Sequence, residues 1–133
     1  MKYREPEIPS PQILQQMERI LSHPQFRQAK SLERFLRYVV TKTLVGEADQ
    51  LKEYTLGVEV FQRGDEYDPR HDAVVRVQAN VLRKRLAGYY EEEGREDEVV
   101  IALPKGHYVP EFTLRVQPGT IPAPPAQVVN AAY

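Results

Sequence analysis

HDAVVRVQANVLRKRLAGYYEEEG, His71 to Gly94, is the stretch that decides the fold. At about 3.6 residues per turn, Val75, Ala79, Leu82, Leu86 and Tyr89 fall on one narrow stripe, the face of a long helix that enters a core. Val74, Val77 and Val81 form a second apolar strip roughly opposite. A helix apolar on two sides is expected to be covered on two sides. Between the strips runs a face made of Ala73, Arg76, Asn80, Arg83, Lys84 and Ala87. Its cations, amide and small residues suit a groove lined with phosphates and base edges. The plainer alternative is a solvated face with ordinary charges.

Upstream, Ser10-Pro11 reads as a helix start, with Ser at the N-cap and Pro at the first helical position. Ile13, Leu14, Met17, Ile20 and Leu21 repeat behind it at helical spacing, and His23-Pro24 ends the helix. Ser31 is read as the cap of a second helix with a wide apolar face (Leu32, Phe35, Leu36, Val39, Val40, Leu44), stopped at Gly46. Gln50 to Tyr54 suggests a short extended piece. Thr55 then caps a short helix, TLGVEVFQR, that buries Leu56, Val60 and Phe61. GDEYDPR forms the loop before the long helix. Downstream the period changes. Val99–Leu103 and Tyr108–Leu114 read as two strands, joined by a tight turn at Pro104-Lys105-Gly106-His107. Pro110 makes the second an edge strand. The expected ring contact of Tyr89 is Phe35 or Leu36, because the second helix offers the largest apolar face.

The bulk numbers bound the function. At 133 residues this is one domain with a tail. The reading divides it into a disordered start (1–10), a folded domain (11–114) and a Pro/Ala-rich flexible tail or linker (115–133). Apolar residues make up 41% of the chain, enough for a core. No apolar run is long enough to span a bilayer, and MKYREPEIPS has no apolar signal region. Cysteine is absent, which excludes disulfides and thiolate metal sites, and the three histidines lack ligand spacing. A cytoplasmic protein is expected, without metal or cofactor. No nucleophile–base pair and no phosphate-binding glycine loop stands out, so an enzyme is not expected. The net charge of −1 conceals an asymmetry. Arg70, Arg76, Arg83, Lys84 and Arg85 face only Asp72, whereas Glu91 to Glu98 is acidic apart from Gly94 and Arg95. That acidic segment reads as a solubilising loop, or as one that keeps DNA away from the helix end.

VRVQANVLRKRL at Val75–Leu86 and IALPKGHYVPEF at Ile101–Phe112 together resemble the winged helix-turn-helix domain of OmpR/PhoB-type response regulators. VEVFQR at Val58–Arg63 is similar to the segment that precedes the recognition helix there, with Phe61 in the aromatic place. A closer resemblance covers about residues 11–113. FLRYVV, LKEYTLGVEVF, DPRHDAVVRVQANVLRKRL and LPKGHYVP resemble the N-terminal winged-helix-like domain of bacterial proteins that also carry tetratricopeptide repeats or cyclase-like regions. The resemblance implies a mostly α fold with a C-terminal β-hairpin wing, a winged helix-turn-helix. The long helix would enter the major groove of double-stranded DNA, as part of a bacterial transcriptional regulator. Arg76, Asn80 and Arg83 would face base edges, and Lys84, Arg70 and Lys105 would sit on phosphates. Departures from the response-regulator pattern fall at Gln78, where that family often has His, and at Asn80 and Val81, where it has basic residues. One such module makes a small interface, so a homodimer or tandem copies are expected on DNA. The alternative is a winged helix used for protein contact, as a scaffold or sensor module. Near-zero net charge, Val81 and the acidic segment favour it.

Overall fold

The computed structural model describes residues 8–115. It is mostly helical and ends in a two-stranded antiparallel hairpin. The elements are α1 (Ser10–Leu21), α2 (Pro24–Arg27), α3 (Lys30–Leu44), a 3-10 turn (Ala48–Gln50), α4 (Glu53–Glu59), α5 (Val74–Glu91), β1 (Val99–Ala102) and β2 (Glu111–Leu114). The tail expected over 115–133, Arg115 apart, and most of the expected disordered start lie outside the described residues.

Helix α3 is central: its Leu32, Phe35, Leu36, Val39 and Val40 are all buried. α1 packs against it and against β1 with Ile13, Met17, Ile20 and Leu21. An Arg37–Glu18 pair, with bonds of 2.5 and 3.3 Å, fastens α1 to α3 at the surface. The stripe Val75, Ala79, Leu82, Leu86 and Tyr89 is buried along the whole of α5, which packs on α3, α4 and β1. Phe35 and Phe61 meet edge to face, with centroids 5.2 Å apart.

Several boundaries differ from the reading above. Ser10 is already helical and Pro9 precedes the helix, its carbonyl accepting from the Gln12 and Ile13 amides. Ser31 likewise lies inside α3, which starts at Lys30 without a side-chain cap. The chain does not run extended after His23-Pro24. It makes one further turn, α2, whose Gln25 amide donates to His23 Nδ1 at 3.3 Å. The piece expected as extended from Gln50 to Tyr54 shrinks to Leu51 and Lys52, because α4 begins at Glu53 and ends at Glu59. Gly57 falls inside α4. The Tyr67 ring occupies the space a Cβ there would need, so glycine is retained against its poor helix propensity. Gly46 does end α3, at φ +85°, and the Gly46 and Glu47 amides close onto Thr43 and Lys42 carbonyls.

The hairpin pairs Val99 with Leu114 through Ala102 with Glu111. The connection is longer than the tight turn expected. Pro110 has no N–H to give, and the Val109 amide is taken by His107 Nδ1 at 3.1 Å, so pairing begins only at Glu111. The Tyr89 ring lies edge-on to His23 (5.7 Å) and Tyr90 (5.0 Å), and its hydroxyl donates to Asp97. It closes the end of the core nearest α1 and α2, while Phe35 takes Phe61 as its aromatic neighbour.

Candidate nucleic-acid interface

The two apolar strips of α5 are not equivalent. Val74 and Val81 pack partly buried against the core, but Val77 is 52% exposed. The uncovered stripe therefore consists of Arg76, Val77, Asn80, Lys84 and Ala87, all exposed. No acid interrupts it before Glu91. The expectation of a fully covered valine strip fails at Val77, which projects on the Lys84 side of the helix among the exposed residues.

Arg83 occupies a different position from the one its place on the helix suggested. Its Nε–H donates to the Leu103 carbonyl at 2.9 Å, and Nη2 donates to the carbonyls of Pro104 and His107, both at 3.1 Å. Nη1 donates to Asn80 Oδ1 at 2.8 Å. Nearly all of the guanidinium's donors are thus occupied. Arg83 is a clasp that ties the β1–β2 connection to the exposed face of α5. Asn80 is exposed, its amide donors make no hydrogen bond among the described residues, and its oxygen, with a second lone pair, can still accept.

The clasp has a neighbour. Tyr90 donates to the Val99 carbonyl at 3.0 Å and accepts from the Ile101 amide at 2.9 Å. Arg83 and Tyr90 together occupy backbone groups along β1 and its exit. Burial raises the Tyr90 hydroxyl above the ordinary tyrosine range. Beside them an apolar groove of about 370 Å³ runs between α5 and the hairpin, with Arg83 and Lys105 at one end and Tyr90 among its walls.

Lys84 and Lys105 are exposed and form no hydrogen bond or ion pair among the described residues. Arg76 is half-exposed and donates through Nη1 to Glu53 Oε2 on α4 at 2.5 Å. Arg70 lies in the loop before α5, where its backbone amide, Nε and Nη2 all bond the Asp68 carboxylate. The Arg70 contacts hold Asp68 below the usual carboxylate range. In the same loop Arg63 pairs with Asp72 at 2.7 Å, and Asp72 Oδ1 accepts from the Val74 amide at 3.1 Å, which fixes the start of α5. Arg83 and Lys105 thus line one groove beside α5, Lys84 lies on the exposed stripe, and Asn80 is bonded to Arg83. Arg76 lies one turn back, toward α4, and Arg70 is held to its own loop.

The acidic segment contains a residue with another role. Asp97 is buried, and its Oδ2 accepts from Tyr89 at 2.6 Å and from Gln16 at 2.9 Å, with Arg19 3.6 Å from Oδ1. Gln16 also donates to the Tyr90 hydroxyl at 3.2 Å. This network joins α1, the end of α5 and the start of β1, and so sets the angle at which the hairpin leaves the helix. Asp97 and Gln16 were not singled out by sequence reasoning, and Val77 was read as part of a covered strip. Only the helical spacing of Gln16, inside the apolar stripe of α1, gave a signal.

No family model, no curated protein and no solved structure matches this chain. Among the described residues no helix is long and apolar enough to cross a membrane.

Proposed function

We propose that this domain is a winged helix-turn-helix that binds double-stranded DNA, with α5 in the major groove and the Lys105 connection as its wing, in the manner of a bacterial transcriptional regulator. One observation carries the reading: α5 leaves an acid-free stripe uncovered, and Arg83 fastens a lysine-bearing connection beside it. An α-helix fits the major groove with its side chains at base edges. Lys84 and Lys105, without partners among the described residues, suit phosphates. Asn80 offers donors for adenine, and exposed Val77 offers an apolar contact for a thymine methyl. Arg83 moves from base contact to positioning. Arg70 reaches a phosphate only by sharing its guanidinium with Asp68. Because one module covers few base pairs, two copies on one site are expected.

A second reading, protein contact through the same stripe, is favoured by one observation. Glu53 neutralises Arg76 next to the exposed Val77. Selection from a random duplex pool, followed by titration of the enriched and scrambled duplexes, decides between them. The DNA reading predicts an enriched sequence bound at least about a thousandfold more tightly than scrambled DNA. Uniformly weak binding, with dissociation constants of about 10⁻⁴–10⁻⁶ M at physiological salt, supports protein contact.

A further inference from the structure

Glu53 opens α4 and Arg76 sits in the first turns of α5, so their bond crosses between two helices. The exposures are unequal: the Glu53 side chain is 22% exposed and that of Arg76 47%. The Glu53 carboxylate is thus on the more buried side chain, and the half-exposed Arg76 side chain belongs to the uncovered stripe. Tyr108, from the hairpin connection, faces the same pair: Glu53, Arg76 and Arg83 are its charged neighbours, and burial raises its hydroxyl. A part-exposed ion pair contributes little to stability. What the arrangement does supply is orientation. Nη1 is held by the carboxylate, which restricts the side chain before binding, and the other donors of the planar guanidinium have no protein partner among the described residues.

We propose that Glu53 is a positioning residue that aims Arg76 at a guanine, so that the DNA site of this domain contains one G·C pair read through O6 and N7. This inference rests on the DNA-binding reading and deepens it. A guanidinium buttressed by a carboxylate keeps two parallel N–H groups for the bidentate guanine contact. Loss of the buttress releases the side chain and also removes a negative charge from the interface. Specificity and bulk affinity then move in opposite directions, which a merely structural role for Glu53 does not produce.

The test is selection from a random duplex pool with wild type, Glu53→Ala, Glu53→Gln and Arg76→Ala, followed by titration of the winning duplex and of one with its guanine replaced. Wild type should discriminate at that position by about tenfold or more, the scale of a bidentate base contact. Arg76→Ala should lose the preference at that position alone. Glu53→Ala should lose most of it while binding scrambled duplex as tightly as wild type or more so. Glu53→Gln, whose amide oxygen still accepts a hydrogen bond, should retain an intermediate preference and guards against misfolding of the alanine variant. Wild-type discrimination in both Glu53 variants overturns the proposal, as does an enriched site with no guanine dependent on Arg76. Failure of wild type to enrich any duplex overturns the DNA-binding reading itself.

Discussion

Arg83 and Leu103 are joined across the exposed edge of α5 by an Nε–H···O=C hydrogen bond of 2.9 Å, and the same guanidinium holds the carbonyls of Pro104 and His107. Charged hydrogen bonds to backbone are among the stronger single contacts, and lysine has no planar fork to replace them. Arg83→Ala and Arg83→Lys should each cost about 1–3 kcal/mol and speed amide exchange in the β1–β2 connection. An unchanged denaturation midpoint and unchanged exchange would show that the clasp is incidental.

Asp97 should be worth more than its place in an acidic run suggests. Asp97→Ala leaves the buried Tyr89 hydroxyl without its acceptor and the Gln16 amide with only the Tyr90 hydroxyl, at a cost of about 2–3 kcal/mol. Asp97→Asn, which keeps one acceptor oxygen, should cost less. Urea titrations of both variants beside Glu91→Ala check the ranking; equal, negligible losses in all three variants would return Asp97 to the solvated acids.

Alkaline pH should loosen the same corner. Burial and then the Asp97 hydrogen bond push the Tyr89 hydroxyl well above the ordinary tyrosine value. Above about pH 10 the unfolded chain ionises this group while the folded chain keeps it neutral. Protons are then released on unfolding, so the stability tied to Tyr89 is fully present below about pH 10 and falls as pH rises toward the folded value. Tyr89→Phe should flatten that part of the pH profile. A wild-type profile that is level through this window would contradict the burial of the hydroxyl.

Gly57→Ala should destabilise the fold, although alanine is the better helix former by about 1 kcal/mol. The added Cβ meets the Tyr67 ring, which is also stacked on Tyr54. Overpacking of this kind costs about 1–3 kcal/mol. In a Tyr67→Ala background the same substitution should turn neutral or stabilising. Calorimetry of the four proteins measures the coupling, and additive effects would place the ring elsewhere.

The buried stripe of α5 was legible because helical periodicity depends only on spacing: Val75, Ala79, Leu82, Leu86 and Tyr89 all reach the core. The apolar face of α3 was legible for the same reason. α2 was not, since a four-residue helix is too short to display a period. Arg83 misled because a helical projection gives direction but not what passes within reach; its partners lie on a hairpin connection 20 or more residues away. Asp97 was hidden by its acidic neighbours, and the partner that buries it, Gln16, is 81 residues distant in sequence. The exposure of Val77 depends on which elements pack over that side of α5, which local pattern does not encode.

The salt dependence of duplex binding, measured for wild type and Lys84→Ala by fluorescence anisotropy, tests most directly whether the exposed stripe of α5 lies on DNA. Lys84 is exposed and has no partner among the described residues, so its removal should leave the fold intact. If it neutralises a phosphate, Lys84→Ala should weaken binding on every sequence alike and lower the slope of log K against log salt by about one unit. Equal slopes and equal affinities for the two proteins would contradict a DNA-facing α5.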